Sequence, residues 1–284
     1  MTEARAKHLL LLYLAIACIP PWIGWSLLTF GLVPEHAPYV PLLYITGWGA
    51  SIGGLVATYA NEGRGGVRRL LGQAVHAIVP IRWWLYALLI PPLWFVGAGI
   101  FYLVLHGQPI VFKPSALLAL GTPALLAPFL FGPLGEEFGW RGFLLPRFVE
   151  KYSAVPACFL VGVIWATWHW PLFYKAMVKS PAKEIFFVLA NIIGMSFLIG
   201  VVYLRTKSLL LSMIMHWCIN AMQLVAVKLL PGLPDNALND TSLSWIGLGV
   251  LTFLVALSMP KLLKVDRRGR LPDPATAPAT PAVD

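Results

Sequence analysis

FLFGPLGEEFGWRGFLLPRF, residues 129–148, decides how this chain is read. It is an apolar run with two adjacent carboxylates, Glu136 and Glu137, and a guanidinium, Arg141, embedded in it. In a soluble protein such a cluster would be unremarkable. Here the surroundings are not those of a soluble protein: the 284 residues are 58% hydrophobic and 12% charged, with a mean hydropathy of +0.76. Soluble domains carry about a quarter charged residues, so the chain is read as lying in lipid. There an ionisable group costs about 2.5–3.5 kcal/mol to insert and is a functional candidate by default.

Working outward, eight apolar segments reach the roughly 20 residues a bilayer-crossing helix needs. They fall near 9–31, 41–60, 83–105, 115–133, 155–173, 184–204, 209–230 and 242–260. The expected fold is therefore all-α, a polytopic membrane bundle of about eight transmembrane helices with its site in the interior. Residues 1–266 form one integral-membrane domain, and the Pro-, Ala- and Thr-rich residues 267–284 are expected to be a disordered cytoplasmic tail. The first segment is too long for the apolar core of a signal peptide and is taken as retained. Residues 63–82 mix Arg64, Arg68 and Arg69 with Leu70, Leu71, Val75 and Ile78, a pattern that suits an amphipathic surface helix or a loop.

The net charge of +9 is distributed by topology. With both termini inside, 16 of the 21 Lys and Arg residues fall on the inner side, and Lys113, Lys175, Lys179, Lys183 and Lys228 remain outside. That asymmetry predicts a cell (plasma or inner) membrane protein with cytoplasmic termini, basic toward anionic lipid and not toward nucleic acid. Cys18, Cys158 and Cys218 lie in apolar runs without CxxC spacing, which argues against a disulfide framework or a thiolate zinc site.

Of the acidic residues, all but Glu136 and Glu137 sit in loops, tails or span ends, and of six histidines only His169 and His216 lie within spans. On a helix Glu137 stands one turn before Arg141, the favourable order for an ion pair. Glu136 points about 100° away toward other partners. The cluster also suits span-end charges snorkelling to the interface. His169, one turn after Trp165 and before Pro171, also fits an interfacial anchor, and His216 with Asn220 on the same helical face also fits interhelical hydrogen bonding. Together, a carboxylate, two imidazoles and an amide from three spans are what a water-activating hydrolytic site needs: a base, a group that orients water, and oxyanion donors. Peptide hydrolysis is the expected chemistry. HExxH, paired intramembrane aspartates and a GxSG segment are missing from the sequence.

EEFGWR at 136–141, WATWH at 165–169 and HWCIN at 216–220 resemble the EExxxR, FxxxH and HxxxN/B motifs of the CAAX prenyl endopeptidase and bacteriocin-processing family. The resemblance covers about residues 125–230, with Trp165 standing where the motif has Phe. It implies an eight-span intramembrane protease in which Glu136 is the general base, His169 its partner on the water, and His216 with Asn220 the oxyanion donors. Glu137, Arg141 and Trp165 would support them. The family has also been described as metalloproteases, so a zinc ion on Glu136, His169 and His216 is the alternative to the preferred cofactor-free mechanism. The expected partners are the bilayer and a membrane-associated peptide or protein substrate, lipidated or not, with no nucleic acid and with no oligomeric state implied. A proton-coupled transporter, or a noncatalytic immunity or scaffold protein, is the competing class.

Overall fold

The computed structural model describes residues 2–34, 36–121, 126–179, 181–233, 258 and 261. Among them every regular element is helical. α1 (Glu3–Thr29) starts where Thr2 Oγ1 accepts the Arg5 amide. α2 (Val40–Ile45) and a 3₁₀ turn (Thr46–Trp48) lead into α3 (Gly49–Gln73), followed by α4 (Ile81–Leu105). Then come a 3₁₀ segment (Pro114–Gly121), α5 (Leu126–Phe131), α6 (Pro133–Gly139), a π-helical turn (Trp140–Leu144), α7 (Leu145–Lys151), α8 (Ala154–Trp168) and α9 (Trp170–Lys179). The described helices end with α10 (Pro181–Thr206) and α11 (Leu209–Leu229).

Three stretches are long and apolar enough to cross a membrane, Glu3–Thr29, Val40–Gln73 and Ile81–Leu105, and shorter apolar helices cover Ala154–Trp168, Asn191–Thr206 and Leu209–Met222. Large apolar side chains stand exposed on the outer faces of α1 and α4, among them Ile19, Ile23, Leu89 and Leu93. Such faces are stable against lipid and costly against water. The chain is an integral membrane protein. The described part of the segment expected at 115–133 consists of short pieces, with the break before α6 falling at the Gly132-Pro133 pair. Apart from residue 258, the segment at 242–260 lies outside the described residues, as does the tail at 267–284.

Residues 64–73, left between surface helix and loop, are helical: α3 continues through them past a kink at Gly63, where φ is +63°. Arg64, Arg68 and Arg69 are exposed while Gly66 and Leu70 are buried. α3 also lies close against α6. A Cβ on Gly54 would come within 2.7 Å of the Phe138 carbonyl, and one on Gly139 would overlap the Ala50 carbonyl. Only glycine permits this approach, and small residues are what let helix backbones meet in a membrane.

α1 gives a scale for the bundle. Near its start Arg5 Nη2 donates to the carbonyls of Ala60 and Asn61, and further along Trp22 Nε1 donates to the carbonyl of Trp168. At 1.5 Å per residue those levels are about 25 Å apart. The end of α8 is thus remote from the end bearing Arg5, Arg64 and Arg68.

Candidate active site

The α6 to π-turn segment supplies three charged groups, and the helical phase separates their partners. Glu137 is fully buried, and its Oε1 accepts from Arg141 Nη1 at 2.8 Å. The same oxygen lies 2.7 Å from Nδ1 of His216, which reaches it from α11. A carboxylate oxygen is an acceptor beside an ionised guanidinium, so Nδ1 carries the hydrogen here. Arg141, also fully buried, places its guanidinium 4.5 Å over the Trp165 ring. The expected Glu137–Arg141 pair is present, extended by His216.

Glu136 faces the other way and meets no cation within salt-bridge distance among the described residues. Its Oε2 accepts two indole N–H groups, from Trp140 at 3.1 Å and from Trp165 at 2.5 Å. Trp140 stands one turn after Glu136, so helix geometry alone brings it there. Trp165 comes from α8. Neutral donors hold the carboxylate in place without cancelling its charge.

Trp165 joins the histidines to this carboxylate. Its carbonyl lies 3.0 Å from His169 Nδ1, and because a carbonyl only accepts, that nitrogen is the protonated one. His169 Nε2 is left with its lone pair. The Trp165 ring also meets His216 edge-on, with centroids 5.1 Å apart. His169 is the C-cap of α8, and the break there coincides with the Trp170-Pro171 sequence that opens α9. Its imidazole is half-buried, with Trp168 at 4.7 Å and Trp25 at 6.2 Å between ring centroids.

Asn220 is located through Gly132, the residue before α6. A Cβ on Gly132 would lie 2.7 Å from Asn220 Nδ2 and 3.7 Å from His216 Nε2. The amide and the imidazole therefore converge on one small volume that glycine leaves open. Their spacing of four along α11 had suggested a common direction. Gly132 as the residue that makes the room was not anticipated, and neither were Trp140 or the His216–Glu137 bond. Trp140 had a readable signal, four residues after a buried acid. Gly132 and the cross-helix bond had none, since both depend on how α11 packs on α6.

Glu136, Glu137, Arg141, Trp165 and His216 form one continuous set of contacts, to which His169 is attached through the Trp165 backbone. Among the described residues no three His, Cys, Asp or Glu side chains gather closely enough to hold one metal ion. His216 Nδ1 is committed to Glu137, and Glu136 Oε2 to two indoles. Within the set Glu136, His169 and His216, the two Nε2 atoms and Glu136 Oε1 are the positions a zinc ion could take.

A helical membrane bundle with an interior cluster of two carboxylates, two imidazoles and an amide defines a class of polytopic proteins with polar chemistry at membrane depth. Residues 116–222 match the family model described as type II CAAX prenyl endopeptidase Rce1-like. CAAX prenyl protease 2 of Methanococcus maripaludis is 35% identical over 98 residues, 31% of this chain and 35% of that protein, so the chain spans about a third of that curated relative's length. Through this segment the chain is similar to the CAAX prenyl endopeptidases.

Proposed function

We propose that the chain is an intramembrane endopeptidase that hydrolyses a peptide bond of a membrane-associated substrate, of the prenylated CAAX kind named for its relative. The observation that carries this reading is the convergence of Asn220 Nδ2 and His216 Nε2 beside Gly132, one turn before Glu136. An amide donor and a ring nitrogen that donates when protonated, aimed at one point next to an acid held by neutral groups, are the parts needed to stabilise an oxyanion and to deprotonate water.

In this reading Glu136 takes the proton of a water that His169 Nε2 orients, and the resulting hydroxide attacks the scissile carbonyl. The new oxyanion accepts from Asn220 Nδ2 and from His216 Nε2. Because Nδ1 of His216 is already bonded to Glu137, Nε2 donates only when the ring is an imidazolium. With Glu136 and Glu137 ionised and Arg141 and His216 cationic, the buried cluster is neutral overall, which low-dielectric surroundings favour. Glu136 then returns its proton to the leaving amine. The depth of His169, about 25 Å from the Arg5 level by the rise of α1, supports hydrolysis within the bilayer, not at the basic surface.

The test is proteomic: membranes of cells carrying Glu136→Gln should accumulate an uncleaved precursor that wild-type membranes lack. Wild-type processing by that variant would reject the assignment, because the remaining embedded carboxylate, Glu137, is engaged by Arg141 and His216. For the cofactor question, metal-stripped protein is expected to keep full activity. Stoichiometric zinc, lost together with activity in His169→Ala and His216→Ala, would instead establish the zinc-dependent form.

A further inference from the structure

Remote from the hydrolytic cluster, where α7 ends beside the start of α1, lies a groove of about 560 Å³. Its size falls within the roughly 300–1,000 Å³ of small-molecule sites. Leu10 of α1 and Phe148 of α7 supply apolar surface, and Tyr152 stacks edge-on with Phe148 at 6.2 Å. Polar groups of both signs share the lining: Lys7, Arg147 and Lys151 carry positive charge, Glu3 and Glu150 negative.

Arg147 is held in a fixed position. Its guanidinium lies 3.5 Å over the Phe143 ring, and Nη1 donates to the Phe143 carbonyl at 2.9 Å. Its Nη2 forms an ion pair with Glu62 Oε1 at 3.9 Å, and its Nε is buried with no hydrogen-bond partner among the described residues. Arg147 and Glu150 also line an adjacent polar cavity of about 290 Å³. A guanidinium so placed has spare donor capacity, and Lys7 and Lys151 flank it on exposed, movable side chains.

We propose that this groove binds a diacyl phospholipid whose headgroup carries both a phosphate and an ammonium, as in phosphatidylethanolamine. The phosphate takes Arg147, Lys7 and Lys151, the ammonium takes Glu3 and Glu150, and an acyl chain lies over Leu10 and Phe148. Basic pockets between membrane helices are a recurrent setting for lipid phosphates. The two carboxylates distinguish this one, since they repel a purely anionic headgroup and attract a zwitterionic one. The site is independent of the hydrolytic reading.

The test uses the full-length chain, delipidated in detergent and supplied with phosphatidylethanolamine or phosphatidylglycerol before native mass spectrometry. Wild type should retain phosphatidylethanolamine about tenfold better than phosphatidylglycerol. Lys7→Ala with Lys151→Ala, both at exposed positions and expected to leave the thermal transition unchanged, should lower retention of phosphatidylethanolamine about tenfold. Glu3→Gln with Glu150→Gln should abolish the preference while keeping phosphatidylglycerol bound. Equal retention of the two lipids by wild type would overturn the proposal, as would wild-type retention in the Lys pair variant. Displacement of the lipid by free phosphoethanolamine at equal concentration would overturn it too, since the apolar part of the groove would then contribute nothing.

Discussion

Glu136 and Glu137 are adjacent in the chain, equally deep, and differ in what surrounds them. Glu137 is fixed by two charge-assisted bonds, from Arg141 on its own helix and His216 on α11. Glu136 accepts from two indoles and from no cation. Turning about 100° between consecutive residues of a helix is enough to deliver them to different neighbours. A carboxylate neutralised by ionic partners has little driving force to take a proton. One positioned by neutral donors keeps its charge for that purpose. In the proposed reading the pair divides the labour: one acid holds α6 to α11, and the other serves the chemistry.

If that division is right, disabling each carboxylate should give a different phenotype. The largest effect expected is on turnover. Glu136→Gln keeps the shape and should lower turnover by roughly 10²–10⁴-fold, as loss of general-base catalysis does, with substrate binding and the thermal transition nearly intact. Single-turnover cleavage beside a melting curve reads both. Arg141→Ala should show the opposite pattern. It leaves Glu137 buried with a lost partner and should cost about 3–5 kcal/mol of stability, seen as a lowered thermal transition in detergent. An unchanged transition would break the comparison.

Asn220→Ala comes next and should reduce turnover about 10²–10³-fold, like removal of an oxyanion donor, with KM little changed. In a zinc-dependent enzyme this side chain is not a ligand and the loss should be smaller. The smallest effect is expected of Trp165→Phe, which keeps an aromatic ring against His216 and removes one N–H from Glu136. Losing one hydrogen bond to a charged group is worth about 1.5 kcal/mol, or roughly tenfold in rate. An effect as large as that of Glu136→Gln would mean that Trp165 takes part in the reaction and does more than hold the base.

How much of this could be read from the sequence depends on how local each contact is. The Glu137–Arg141 pair spans four residues of one helix, and its order and spacing predicted it. Trp140 stands at the same spacing from Glu136 and obeys the same geometry, yet an aromatic in an apolar segment carries no mark that its N–H is used. Glu136 and His169 were expected to share a water; in the structure both contact Trp165, whose indole reaches the acid and whose carbonyl fixes the imidazole. An apolar window cannot show that a span is interrupted. His169 falls at the break between α8 and α9, and the segment predicted at 115–133 is divided into short elements.

Residue type and spacing alone place the chain in lipid, make it helical, and single out the few polar side chains at membrane depth. Those properties follow from transfer free energies and helical periodicity, both set residue by residue. Which of those side chains meet was settled by packing between helices. The bonds of His216 to Glu137 and of Trp165 to Glu136 join residues 79 and 29 positions apart, and the opening beside Gly132 exists because α11 packs against the start of α6. Contacts across helices depend on how close two backbones come and how they are rotated, and that is fixed by small residues such as Gly54, Gly132 and Gly139 acting jointly and not by any one segment.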